Sequence, residues 1–172
     1  MSERPSVLVV MGVSGAGKTT LAQALADTLG WPFKEGDTLH PPANIAKMAA
    51  GRPLDDGDRG PWLDAIGSWI DRWRDQGRSG VVTCSALKRA YRDRLAAGRP
   101  GLTFVFVQLT SETIAARLAT REGHFMPPSL LASQFATLEP LGADEPAITV
   151  DGRLSTDEQA GGVLCRLARF DS

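Results

Sequence analysis

Two rhythms of apolar and polar residues alternate along this chain. Val7-Leu8-Val9-Val10-Met11 is an unbroken apolar run of strand length. It gives way to a stretch where Leu21, Leu25 and Leu29 recur every four residues until Gly30 stops them. The first pattern predicts a buried strand and the second a helix. The exchange then repeats. Residues 31–37 read as a short second strand ending in acids, and Pro41-Pro42 opens a brief helix from Ala43 to Ala50. A polar loop covers 52–60. Pro61 fits an early helical position, and Trp62, Ile66, Trp69, Ile70 and Trp73 keep helical spacing up to Gly77. Gly80 to Cys84 reads as the third strand, and Ser85 as the cap of a helix carrying Leu87, Tyr91 and Leu95 on one face. Thr103 to Leu109, β-branched and aromatic, is the fourth strand. Helices follow over 111–121 and 129–138, parted by breakers at 123–128. Ala147 to Val150 is the fifth strand, and Ser155-Thr156-Asp157-Glu158 has the form of a capping box before the last helix. The alternation predicts an α/β fold of three layers, a parallel five-stranded sheet with helices on both faces.

Composition narrows the partners. A chain of 172 residues suits one domain, 1–172, with a substantial core. The formal net charge of −1 supplies no basic field, which argues against nucleic acid as the main partner. No apolar run approaches the roughly 18 residues of a membrane span. The N-terminus leads straight into the first strand without the form of a signal peptide. A cytoplasmic location without membrane attachment is expected. Cys84 and Cys165 lack metal-ligand spacing and read as reduced core residues.

Between the first strand and first helix stands Gly12-Val13-Ser14-Gly15-Ala16-Gly17-Lys18-Thr19, which fits G-x-x-x-x-G-K-[ST]. Glycines let the backbone turn tightly and approach a ligand, its N–H groups form an anion-binding concavity, and the helix N-terminus adds partial positive charge. Lys18 would reach the β- and γ-phosphates of a nucleoside triphosphate such as ATP. The Thr19 hydroxyl would hold Mg²⁺. Gly12 to Thr19, with Thr20, are therefore the expected nucleotide-binding residues.

Ligands of parallel α/β sheets sit at the carboxyl ends of the strands. That rule collects the loop, Glu35 to Asp37, and Ser85 to Lys88 on one edge. If the second strand persists, Glu35 and Asp37 share a face: one orients Mg²⁺ through water, the other takes up an attacking hydroxyl. Metal contact is expected from Thr19 and Glu35, and catalysis from Asp37. The segment about 38–62 holds His40, Asn44, Lys47, Arg52, Asp58 and Arg59, a density of donors and charges that suits a polyhydroxylated or anionic acceptor. Arg59 is the best candidate for gripping a carboxylate. Trp62, Trp69 and Trp73 read as core. Lys88 and Arg92, four apart on one helix, are placed at the transferred phosphate or the acceptor. Arg117 and Arg121 stand on a helix tip bounded by breakers, which suits a lid, about 118–135, closing over phosphates. His124 lies in that lid.

Together these segments resemble the gluconate kinase family of thermoresistant type, among the shikimate-kinase-like and nucleoside-monophosphate-kinase-like P-loop enzymes. The resemblance rests on the phosphate loop; on Glu35-Gly36-Asp37-Thr38-Leu39-His40-Pro41 with Asn44, Lys47 and Met48; and on Gly51-Arg52-Pro53-Leu54 with Asp56, Asp58, Arg59, Pro61 and Trp62. It extends to Cys84-Ser85-Ala86-Leu87-Lys88 with Tyr91 and Arg92, and to Gly123-His124-Phe125 followed by Gln134, Leu138 and Glu139. It implies a P-loop NTPase fold with a lid, phosphorylation of D-gluconate at its 6-hydroxyl by ATP, Mg²⁺ dependence and a homodimer. It implies catalytic roles for Lys18, Asp37, Lys88 and Arg121, nucleotide contacts from Arg117 and Arg121, and acceptor contacts from Asp37, His40, Asn44, Lys47, Asp58, Arg59, Lys88, Arg92, His124 and Gln134. Glu35 departs from the family, where Asp is expected. Physics alone leaves room for another acceptor, such as shikimate or a nucleotide, or for a nucleotide-dependent switch. An N-K-x-D base-reading motif is absent, the only asparagine being Asn44.

Overall fold

A computed structural model describes residues 4–120 and 128–170. Its elements run β1 (Val7–Met11), α1 (Lys18–Leu29), β2 (Phe33–Lys34), a 3₁₀ turn (Gly36–Leu39), α2 (Pro42–Ala49), α3 (Asp56–Asp75), β3 (Gly80–Thr83), α4 (Arg89–Ala96), β4 (Leu102–Gln108), α5 (Ser111–Thr120), α6 (Pro128–Thr137), β5 (Ala147–Asp151) and α7 (Thr156–Phe170). The five strands form one parallel sheet in the order β2-β3-β1-β4-β5, as the alternating pattern predicts.

Side chains alternate across the sheet and split the core in two. Leu8, Val10, Val81, Val105 and Ile148 pack under α1 and α7, against Leu21, Leu25 and Val163. Val7, Val9, Met11, Val82 and Phe104 pack under α3 and α4, against Trp62, Ile66, Ile70, Trp73 and Leu95. Trp62 and Trp73 are core residues, as expected. Trp69 is half-buried, its ring flanked by Lys34 Nζ at 4.2 Å and Arg72 Cζ at 4.8 Å.

Three boundaries near the site differ most from the sequence reading. First, β2 ends at Lys34, and Glu35 is the N-cap of the 3₁₀ turn that carries Asp37. The two acids therefore do not share a strand face. Second, α3 begins at Asp56, absorbing half of the supposed loop. Asp55 Oδ1 accepts from Asp58 N at 2.8 Å and Asp58 Oδ2 from Asp55 N at 2.9 Å, a reciprocal cap that starts the helix five residues before Pro61. Pro61 then lies inside the helix, where burial of Trp62, Leu63 and Ile66 outweighs the one backbone bond it cannot donate. Third, α4 starts at Arg89 with Lys88 as N-cap, so Lys88 and Arg92 are not a pair on one helical face. At the other end, Ser155 Oγ accepts from Glu158 N at 3.1 Å, the serine half of the capping box that the sequence signals. Cys84 is buried and Cys165 is exposed, which corrects its reading as core.

Candidate active site

Strand β1 is central, and the chain leaves its carboxyl end through the glycine-rich loop. Gly12 has φ +144°, and a Cβ there would meet Val107 O at 3.0 Å, so only glycine lets the chain turn here. Gly12 N donates to Ser85 O at 3.3 Å, tying the loop to the end of β3. Lys18 opens α1 and folds back so that Nζ donates to Gly12 O at 2.9 Å. Burial pulls its pKa below the usual lysine range, while Asp37 and Glu35 act in the opposite direction. Burial also pushes the Cys84 thiol up to about 12, so it stays protonated.

Thr19 Oγ1 donates to Glu35 Oε2 at 2.6 Å. The two residues come from α1 and from the end of β2, and the fold alone joins them. The other carboxylate oxygen, Oε1, accepts from Thr83 Oγ1 at 2.5 Å. Hard oxygen donors grouped at the foot of a phosphate loop fit Mg²⁺, which takes oxygen ligands and keeps several waters.

The loop opens on a cavity of about 420 Å³. Ser14, Gly15, Gly17, Lys18, Thr19 and Thr20 form its phosphate wall. Glu35, Asp37, His40, Arg59, Trp62 and Ser85 also line it. Leu118 of α5 and Leu130, Ser133 and Gln134 of α6 close over it. The Asp37 side chain is 70% exposed, with His40 Nε2 at 3.9 Å. His40 stacks on Trp62 with ring centroids 4.2 Å apart. Burial holds its pKa below the usual histidine value, against the pull of Asp37.

Arg59 is buried yet lines the cavity. Its Nη1 donates to Tyr91 Oη at 3.1 Å, and the Tyr91 hydroxyl donates in turn to Asp56 Oδ1, which Lys88 Nζ also meets at 2.8 Å. Among the described residues no carboxylate forms a direct ion pair with Arg59; Asp56 acts on it at longer range, across the Tyr91 hydroxyl, and the guanidinium lines the cavity.

Several candidates have other partners. Lys47 Nζ meets Asp58 Oδ2 at 2.6 Å, and Asn44 Nδ2 donates to Asp58 O at 2.8 Å. Asn44, Lys47 and Asp58 thus tie α2 to the start of α3, and none lines the cavity. Lys88 stands beyond the lining, spent on Asp56. Arg92, expected at the acceptor, is fully buried. It donates to Ala86 O, Leu87 O, Glu139 O and Pro140 O and pairs with Glu145 at 2.6 Å. It braces the turn after β3, where Ala86 has φ +46°, strained for a residue with a Cβ. Arg117 donates to Gly152 O at 2.7 Å, beside β5 rather than in the cavity. Gln134 takes the Ser14 N–H on Oε1 at 2.7 Å and donates from Nε2 to Ser14 Oγ at 3.0 Å, which pins α6 to the phosphate loop. Arg121 and His124 lie outside the described residues.

Sequence reasoning missed Thr83 and the polar role of Tyr91. A β-branched threonine looks like any strand residue, and Tyr91 holds a core position on its helix. Only the neighbours brought up by the fold make either one polar in function.

A glycine-rich phosphate loop after the central strand of this sheet, with carboxylates following the edge strand β2, defines a P-loop kinase. The chain matches the AAA domain family over residues 7–141. It is 53% identical over 157 residues to a gluconokinase of Gluconobacter oxydans (strain 621H), an overlap of 91% of this chain and 88% of that protein. Among solved structures it superposes on a sugar kinase from Janibacter sp. HTCC2649 with a TM-score of 0.91, 48% identity and 95% coverage of both chains. A gluconokinase from Sinorhizobium meliloti 1021 gives a TM-score of 0.88 and 46% identity, covering 97% of this chain and 94% of that one. The chain belongs to the gluconokinase family.

Proposed function

We propose that the protein transfers the γ-phosphate of ATP to the 6-hydroxyl of D-gluconate, giving 6-phospho-D-gluconate and ADP. One observation carries the reading: a single cavity is lined by the phosphate loop, by an exposed carboxylate, Asp37, and by a buried guanidinium, Arg59, that has no direct ion-pair partner among the described residues.

The loop N–H groups and Lys18 hold the β- and γ-phosphates and take up charge as the phosphoryl group moves. Asp37 accepts the hydrogen bond, and then the proton, of the attacking hydroxyl. Arg59 holds the acceptor carboxylate through paired N–H donors, which orients the far end of the sugar acid toward Asp37. His40 and Trp62 form the floor beneath it. Thr19 and Glu35 would hold Mg²⁺, which when bound neutralises phosphate charge. Residues 118–135 act as the lid. Gln134 and Leu118 already line the cavity, and a closed lid excludes water that would otherwise hydrolyse ATP. Arg121 and His124 complete the lid's contacts with phosphate and acceptor. The same reading includes a homodimer, implied by the family resemblance, and a cytoplasmic location.

The test is ADP release from MgATP by the purified protein, with gluconate, shikimate, glucose and AMP offered separately. Strong stimulation by gluconate alone is expected. Tight ATP binding without stimulation by any of them would reject the proposal.

A further inference from the structure

The corner Glu35-Gly36-Asp37 carries both carboxylates of the site, and it is pinned by a residue outside the expected set. Gly36 is buried, and both of its backbone polar groups go to side chains. Its N–H donates to Thr83 Oγ1 at 2.9 Å, and its carbonyl accepts from Trp62 Nε1 at 2.9 Å. A Cβ at Gly36 would fall 1.8 Å from Thr83 O, so the corner lies directly on the end of β3. Thr83 is 1% exposed and pairs in register with Val10, two residues before the loop begins.

These contacts settle the direction of each hydroxyl. Gly36 N can only donate, so Thr83 Oγ1 accepts from it. An ionised Glu35 can only accept, so the Thr83 proton points at Oε1. Glu35 Oε2 then takes the Thr19 proton, which turns the lone pairs of Thr19 Oγ1 away from the carboxylate. A hydroxyl held in that sense is ready to ligate a cation, and a rotating one is not.

We propose that Thr83 is a positioning residue for the metal site: its hydroxyl relays the backbone direction of Gly36 through Glu35 to Thr19, and so prepares Thr19 to bind Mg²⁺. The inference rests on reading the loop as a MgATP site. It also gives the longer Glu35 a physical reason, since its carboxylate spans from Thr83 on β3 to Thr19 on α1.

The test is ATP affinity with and without Mg²⁺, measured by calorimetry without acceptor, for the wild type and for Thr83→Ala, Thr83→Val and Thr83→Ser. The gain in affinity from Mg²⁺ should shrink about tenfold in the Ala and Val variants, as for loss of one charge-assisted hydrogen bond. Their Mg²⁺-free affinity should stay within about twofold of wild type, and Ser should restore the gain. Thr83→Ala avoids the methyl that Val would press on Gly36 N, so the test survives if the Val variant folds poorly. In a Glu35→Ala background, Thr83→Ala should cause no further loss. An undiminished Mg²⁺ gain in Thr83→Ala would overturn the inference. So would equal damage in the Ser variant, a parallel fall in Mg²⁺-free affinity, or additive loss with Glu35→Ala. A wild type indifferent to Mg²⁺ would overturn it together with the metal reading. Failure of the gluconate reading would appear only in acceptor-stimulated ADP release and would leave these affinities unchanged.

Discussion

The two walls of the cavity are built on different principles. The phosphate wall is one continuous segment, Gly12 to Thr20, held by short-range contacts such as Lys18 Nζ to Gly12 O and by neutral or hydrogen-bonded neighbours. The acceptor wall is assembled from the β2 corner, α2, the loop after it, α3 and the turn after β3. Ion pairs knit it together: Lys47 with Asp58, and Lys88 with Asp56, which also takes the Tyr91 hydroxyl. The contrast shows how one fold separates a fixed task from a variable one. Phosphate is recognised by backbone N–H groups, which almost any sequence supplies once glycine permits the turn. A particular acceptor needs side chains, and these need charged partners to hold them in place.

The comparison can be broken at its strongest point first. Lys18→Ala should cut kcat by about 10²–10³-fold or more, as for loss of a charge-stabilising donor, while the melting temperature stays near wild type. Near-normal turnover would remove Lys18 from the mechanism. Asp37→Asn should lower kcat by about 10²-fold or more and leave ATP affinity almost unchanged, because the amide cannot take the proton. A variant with unaltered kcat would reject Asp37 as the acceptor-activating group. Arg59→Lys should raise KM for gluconate about tenfold with KM for ATP unmoved, since an ammonium cannot make the paired contact of a guanidinium. Equal shifts in both constants would show that Arg59 supports the whole cavity and not the acceptor alone.

Smaller effects sharpen the distinction between a contact wall and its scaffold. Asp58→Ala removes the Asp58 half of the reciprocal cap, the bond from Asp55 N, together with the Lys47 partner, so it should lower the melting temperature by a few degrees and raise KM for gluconate less than Arg59→Lys does. A KM effect larger than that of Arg59→Lys would return Asp58 to the acceptor itself. The smallest change concerns pH. Burial holds the His40 pKa below its usual 6.5, with Arg59 acting in the same direction and Asp37 against it. The unfolded chain therefore binds this proton more readily than the folded one. The His40 contribution to stability is fully present above about pH 6.5 and is lost as pH falls through the lower folded value. Melting temperature across that window should fall more steeply for wild type than for His40→Gln. Parallel curves would show that His40 titrates as it does in the unfolded chain.

Much of this was legible in local pattern. Alternating apolar runs and helical spacing give the order of elements and the parallel sheet, because burying a continuous apolar strand requires cover on both faces. The phosphate loop was readable for the same reason, since its parts are contiguous. The boundaries that slipped are those where a distant or reciprocal contact decides. Asp55 and Asp58 cap each other and start α3 early, and Thr83 and Trp62 bend the chain at Gly36 before β2 can continue.

The residue types of Lys18, Thr19, Glu35, Asp37 and Arg59, and the family they mark, were determined by the sequence itself. Which of the charged candidates face the cavity was decided only in three dimensions. Arg92 was also expected at the acceptor, yet it is buried on Glu145 and four carbonyls, while Arg59 has a tyrosine hydroxyl as its polar partner and lines the cavity. A charged side chain carries the same charge wherever it stands. What it can bind depends on whether a partner already neutralises it, and that partner comes from elements far apart in the chain.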